Sequence, residues 1–183
     1  MSHSPNALLI QQFIDRAVSL GAVVERCNGL ESAKKFIAAF CQDKTINTIA
    51  ATAQAQAMLG NGGKIKFSAT KTIKDFDCAE LGIVDADYGI AETGTLVSLQ
   101  NNDFEKLAGI LPKICLALVQ GKRIVESAEA IAPVINEHLS GNTKPAPQVS
   151  FVSGPSRTAD IECQLCIGVH GPASLIILLI DEA

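Results

Sequence analysis

The segment Val152-Ser153-Gly154-Pro155-Ser156-Arg157-Thr158-Ala159-Asp160-Ile161-Glu162 packs several chemically capable residues into a few positions. It has the form of a strand, a turn of small residues and a helix start. Such a turn leaves backbone N–H groups unpaired at the helix N-terminus, where they and the helix dipole favour an anion. Gly154 lets a ligand approach the backbone closely, beside Pro155. Ser156 and Thr158 offer hydroxyls to a ligand or to the helix cap, and Arg157 offers a planar fork matched to carboxylate or phosphate. Asp160 and Glu162 would complement the dipole in the first turn. The same residues also suit ordinary capping, with Arg157 ion-paired to Asp160 or Glu162.

Ala91-Glu92-Thr93-Gly94-Thr95 is a second candidate. Glu92 stands between apolar residues and a glycine turn. Partial desolvation there would raise its pKa and suit a nucleophile or general base. Alternatively, Glu92 bonds turn amides or pairs with Arg157. His170, in Gly168-Val169-His170-Gly171-Pro172, is a third candidate. A turn histidine can serve as a general acid or base near neutral pH, or simply bond backbone carbonyls. Taken together, these segments predict a shared cleft with Arg157 facing Glu92. Glu92 and His170 are its candidate catalytic groups, and Thr93, Gly94, Thr95, Gly154 and Gly171 help to line it.

Other chemistry has less support. Cys163-Gln164-Leu165-Cys166 is a C-x-x-C, but no second cysteine pair supplies zinc ligands, and it follows the expected helix start rather than opening it. No metal site is expected. The six cysteines of this 183-residue chain are expected to be free thiols, mostly small buried hydrophobes. There is no Gly-x-Gly-x-x-Gly and no phosphate loop ending in Gly-Lys-Ser/Thr, so no nucleotide cofactor is expected. The net charge of −4 and the absence of a basic run argue against nucleic-acid binding. The longest apolar stretch, residues 175–180, is too short for a membrane span. The N-terminus lacks the pattern of a signal peptide, so a cytoplasmic location is expected.

The elements that must position these residues read as an α/β protein. Hydrophobic residues make up 48 %, with one tyrosine and no tryptophan, so the core is aliphatic. Helical spacing covers residues 5–20, 31–40 and 54–59, and strands are expected at 22–25, 46–51, 65–67, 96–99, 114–119, 148–152 and 175–180. Residues 81–90, interrupted by Asp85 and Asp87, read as a turn leading into a strand near Ala91. A short helix is expected at 105–111 and a longer one over 124–139, broken or kinked by Pro133. The alternation predicts an open, mostly parallel sheet with helices on both faces. The expected organisation is one structural domain, with residues 1–44 packing on a core of residues 45–183.

Asp87-Tyr88-Gly89-Ile90-Ala91-Glu92-Thr93-Gly94-Thr95-Leu96-Val97, the block 154–162 and Gly168-Val169-His170-Gly171-Pro172 together resemble the lactate utilization protein C family, also called the LUD domain. The resemblance runs over roughly residues 45–180. It implies a fold similar to the ribose-phosphate isomerase, glucosamine-phosphate deaminase and CoA-transferase superfamily. It implies an accessory role in oxidising L-lactate or a related 2-hydroxy acid to pyruvate, with a small anionic metabolite as ligand and iron–sulfur proteins as partners. By analogy with CoA transferases of this fold, Glu92 would instead be the nucleophile of a stand-alone transferase or hydrolase of CoA thioesters or phosphorylated small molecules. A ligand-binding regulator without chemistry is the third alternative. The chain departs from the family pattern at Cys115 and Ile176, where histidines are usual, and at Cys163, where glycine is usual.

Overall fold

The computed structural model describes residues 5–60, 65–70, 72–102, 105–141, 146–159 and 165–181. Its centre is a five-stranded parallel sheet built from β1 (Val23–Asn28), β2 (Ile49–Ala51), β3 (Leu81–Ala86), β6 (Ile114–Gln120) and β11 (Ser174–Asp181), in the order β1-β11-β6-β3-β2. The chain therefore starts at one edge, crosses to the other through α2 (Leu30–Asp43), and walks back to place β11 beside β1.

Side chains alternate across a strand, and both faces of this sheet are covered. In β6, Cys115, Ala117 and Val119 face one core, while Leu116 and Leu118 face another. In β11, Leu175, Ile177 and Leu179 join the first core, and Ile176, Leu178 and Ile180 the second. Fully burying an aliphatic side chain of this size contributes about 1.5–3 kcal/mol, so these two continuous apolar strands anchor the fold. The second core is closed by α2, through Ala33 and Ile37, and by α3 (Ala53–Leu59), through Ala55 and Leu59. The first is closed by α1 (Pro5–Ser19), whose Ile10, Phe13 and Ala17 form the buried stripe.

Beside α1, the first face also carries a second sheet. It comprises β4 (Tyr88–Ile90), β5 (Thr95–Gln100), β7 (Ile124–Val125) and β8 (Gln148–Val152), in the order β7-β4-β5-β8. Its outer side packs on α4 (Ala128–Leu139) through Ile90, Val97 and Ile131. The expected α/β fold with a mostly parallel sheet flanked by helices is present, with this extra sheet layered onto one side.

Three local expectations are corrected. Residues 81–86 form β3, a central strand, rather than a turn. The two carboxylates that interrupt the pattern are satisfied where β3 ends: Asp85 accepts from the Thr52 hydroxyl at 2.5 Å, and Asp87 from the Leu99 N–H at 2.7 Å. Residues 65–67 are irregular rather than a strand. Ile65 and Phe67 pack on the second core, and the link to β2 is made by Ser68, whose N–H bonds the Ile49 carbonyl. Residues 157–159 form β9 (Arg157–Ala159), paired antiparallel with β10 (Leu165–Ile167), where a helix start was expected. The helix-dipole argument for an anion therefore does not apply at Arg157. Asp160, Glu162 and Cys163 lie outside the described residues, and Cys166 falls on β10.

Candidate functional site

The sequence explains how α1 ends, and that end organises the loops. Gly21 adopts φ +90°, a left-handed conformation that glycine reaches without a Cβ clash. The Gly21 N–H bonds the Val18 carbonyl at 2.9 Å and the Ala22 N–H bonds the Ala17 carbonyl at 3.1 Å. This pair of bonds is the Schellman termination. It leaves the Leu20 carbonyl facing outward. Arg157 Nη2 donates to that carbonyl at 2.5 Å, a cation placed at the negative end of a helix.

Two glycines bring the other loops onto the same turn. Gly94, at φ +66°, lies so close to α1 that an added Cβ would stand 2.4 Å from the Ala17 nitrogen. Gly154, at φ +96°, approaches the Leu20 carbonyl, which would be 2.7 Å from a Cβ. The Thr95 and Ser153 hydroxyls then meet directly at 2.7 Å, and the Thr93 hydroxyl donates to Thr95 at 2.7 Å. A third loop docks from behind. The Ser156 N–H bonds the Pro172 carbonyl at 2.9 Å, the Gly168 N–H bonds the Ser156 carbonyl at 3.0 Å, and Gly171 packs on the Ser156 side chain. The three segments singled out from sequence, separated by many residues, thus converge around the last turn of α1. They gather where β1 and β11 begin.

The individual side chains sit less uniformly. Glu92 is exposed, so the desolvation that would activate it is not in place. Its N–H bonds the Glu126 carbonyl at 3.0 Å, extending the β4–β7 pairing. Among the described residues no ion pair joins Arg157 to Glu92. His170 is exposed at the tip of its loop. Pro155 packs near Gly21. What this arrangement offers a ligand is a set of hydroxyls from Thr93, Ser153 and Ser156, edged by the exposed Arg157, with the buried Thr95 tying Thr93 to Ser153 beneath them.

The shifted titratable groups lie elsewhere. Burial pushes the Asp87 carboxyl up, with the Leu99 N–H opposing and Asp85 reinforcing the shift. Burial also raises Glu105, again reinforced by Asp85, while a hydrogen bond from the Ala53 N–H opposes it. Complete burial carries the Cys115 thiol up to about 12, leaving it protonated and inert as a nucleophile. Among the described residues no group of three or more His, Cys, Asp or Glu is arranged to hold a metal ion, and no helix is long and apolar enough to cross a membrane.

Sequence reasoning missed one feature. A cavity of about 300 Å³ lies between the two sheets, lined by residues such as Val84, Leu96, Ser98, Gln100, Lys106 and Ser150. None of the candidate site residues lines it. Its signal was the alternation in β5, where Leu96, Ser98 and Gln100 share the side facing the main sheet and two of the three are polar.

The LUD domain model matches residues 10–180. Among curated proteins, the chain is similar to lactate utilization protein C 1 of Bacillus mycoides, 37 % identical over 111 residues, which is 60 % of this chain and 47 % of that protein. It is also similar to lactate utilization protein C of Bacillus subtilis, 29 % identical over 112 residues, 61 % of this chain and 47 % of that protein. The chain spans about half the length of the curated relatives it matches. The crystal structure of a DUF162 family protein from Deinococcus radiodurans shares the fold, with a TM-score of 0.67 over 97 % of this chain and 99 % of that one at 18 % identity. With the family model covering nearly the whole chain, this protein belongs to the LUD domain family.

Proposed function

We propose that this protein is an accessory component of 2-hydroxy-acid oxidation, L-lactate to pyruvate above all, and that it works in the cytoplasm with iron–sulfur partner proteins. Its own part is to bind a small anionic metabolite at the loops gathered on the end of α1. Thr93, Gly94 and Thr95 contribute from one block. Gly154, Pro155, Ser156, Arg157 and Thr158 contribute from the next, which Asp160 and Glu162 continue, and Gly171 supports it from behind.

The observation that carries this reading is the 2.7 Å contact between the Thr95 and Ser153 hydroxyls, which ties segments 58 residues apart together beneath the exposed Thr93, Ser153 and Arg157. The family supplies the substrate class, since the curated relatives carry the name lactate utilization protein C. An exposed guanidinium beside hydroxyls suits a carboxylate. The alternative of a stand-alone transferase or hydrolase needs Glu92 as a nucleophile. Its exposure leaves that carboxylate solvated, so the geometry supports binding better than covalent chemistry. Pull-down of the tagged full chain from its native cells, followed by mass spectrometry, tests the reading. Recovery of iron–sulfur proteins is expected, and their absence, with undiminished growth on L-lactate after deletion of the gene, would overturn it.

A further inference from the structure

We propose that the cavity between the two sheets binds an aliphatic monocarboxylate of about ten to twelve non-hydrogen atoms, a size set by comparison with the ~150 Å³ cavity that takes benzene. Its carboxylate lies at Lys106 and Gln100, and its chain runs along Leu96, Ala117 and Leu175. This inference rests on the cavity and not on the lactate reading.

The strand register orders the cavity by polarity. Leu96 pairs with Val152, then Ser98 with Ser150, then Gln100 with Gln148. Four residue steps along an extended strand span about 13 Å, so the lining passes from apolar to polar over the length of a medium-chain acid. Lys106 Nζ bonds Gln148 Oε1 at 3.0 Å, which fixes the cation at the polar end. The Ser150 hydroxyl donates to Gln100 Oε1, at 3.4 Å. Among the described residues the Gln100 amide nitrogen donates to no acceptor, and it is available to a carboxylate.

The opposite wall explains why the space exists. Ala86, Gly109 and Ala117 line it, and such small residues cannot reach across to a sheet that places Ser98 and Ser150 at the middle of its facing side. Cys115 and Leu175 complete an apolar floor. Among the described residues, Asp85 accepts from the Thr52 hydroxyl and Glu105 from the Ala53 N–H at the start of α3. The cavity also reaches the surface, because Ile110, Phe151 and Val152 line it and are 43 %, 53 % and 37 % exposed. Apolar side chains at a mouth, a cation and an amide at one end, and an aliphatic wall between them match an amphipathic acid. L-lactate, with about half as many atoms, would leave the space largely unfilled.

Calorimetric titration of the full chain with octanoate, octanol and octylamine tests the proposal. Octanoate is expected to bind saturably at one site, octanol more weakly and octylamine not at all. Lys106→Met should weaken octanoate by about tenfold or more while leaving octanol unchanged, since it removes a charge-assisted contact. Ser150→Leu, which fills the middle of the cavity, should abolish both. Should that variant fail to fold, the Lys106→Met comparison decides alone. Absence of saturable octanoate binding, or wild-type affinity in Lys106→Met, would overturn the proposal. A parallel titration with L-lactate reports on the loops at α1, so the two sites can fail separately.

Discussion

The loops on the end of α1 and the cavity between the sheets are built on opposite principles. At the loops, backbone meets backbone. Gly94 and Gly154 press against the last turns of α1, and Arg157 holds a helix carbonyl. At the cavity, side chains fall short of one another, and alanines face serines across an open space. The first region has no room for an added methyl group, whereas the second has room for a ligand. Close packing makes the former intolerant of change and the latter adaptable.

Substitutions should expose this difference. Gly94→Ala meets both a positive φ and α1 backbone atoms within 3 Å, so a loss of about 3 kcal/mol or more is expected in urea unfolding. A loss under about 1 kcal/mol would mean that the loop shifts freely and that the convergence is loose. Arg157→Ala removes a charged donor from the Leu20 carbonyl at an exposed site. It should cost about 1 kcal/mol, with most of the loss persisting in Arg157→Lys if the planar fork matters. Ala117→Val adds methyl groups at the cavity and should stabilise the protein by roughly 0.5–1 kcal/mol. A loss of that size would show that the cavity wall has no slack.

The smallest effect concerns pH. The folded-state pKa of Asp87 is raised, so its contribution to stability is fully present below the ordinary aspartate pKa and is lost as pH rises through the raised value. Asp87→Asn keeps an oxygen for the Leu99 N–H and removes the titration. Its stability should gain on that of the wild type as pH increases over this window. Denaturant midpoints for the two proteins that run parallel with pH would contradict the burial argument.

The two regions also differ in how far the residues announced them. Strands β6 and β11 are legible because both faces are buried, giving unbroken apolar runs. The blocks at 91–95, 153–157 and 168–172 are legible because glycine, proline and hydroxyl residues mark backbone that must turn or touch. Sequence pattern fails at β3, since Asp85 and Asp87 look like surface residues until Thr52 and Leu99, distant in the chain, bond them. It fails again at Arg157, where β9 pairs with β10 across residues that carry no hairpin signature. The cavity is the least legible feature. Ser98, Gln100 and Ser150 read as the wet face of a strand, and only the packing of one sheet over the other turns that face inward.

The central claim is that the three loops form one ligand surface on the end of α1. Amide NMR spectra of the full chain titrated with L-lactate test it most directly. Saturable shifts shared by Thr93, Gly94, Thr95, Ser153, Gly154 and Arg157, and lost in Arg157→Ala, are predicted. Lactate shifts confined to other regions, or none at all, would contradict the account.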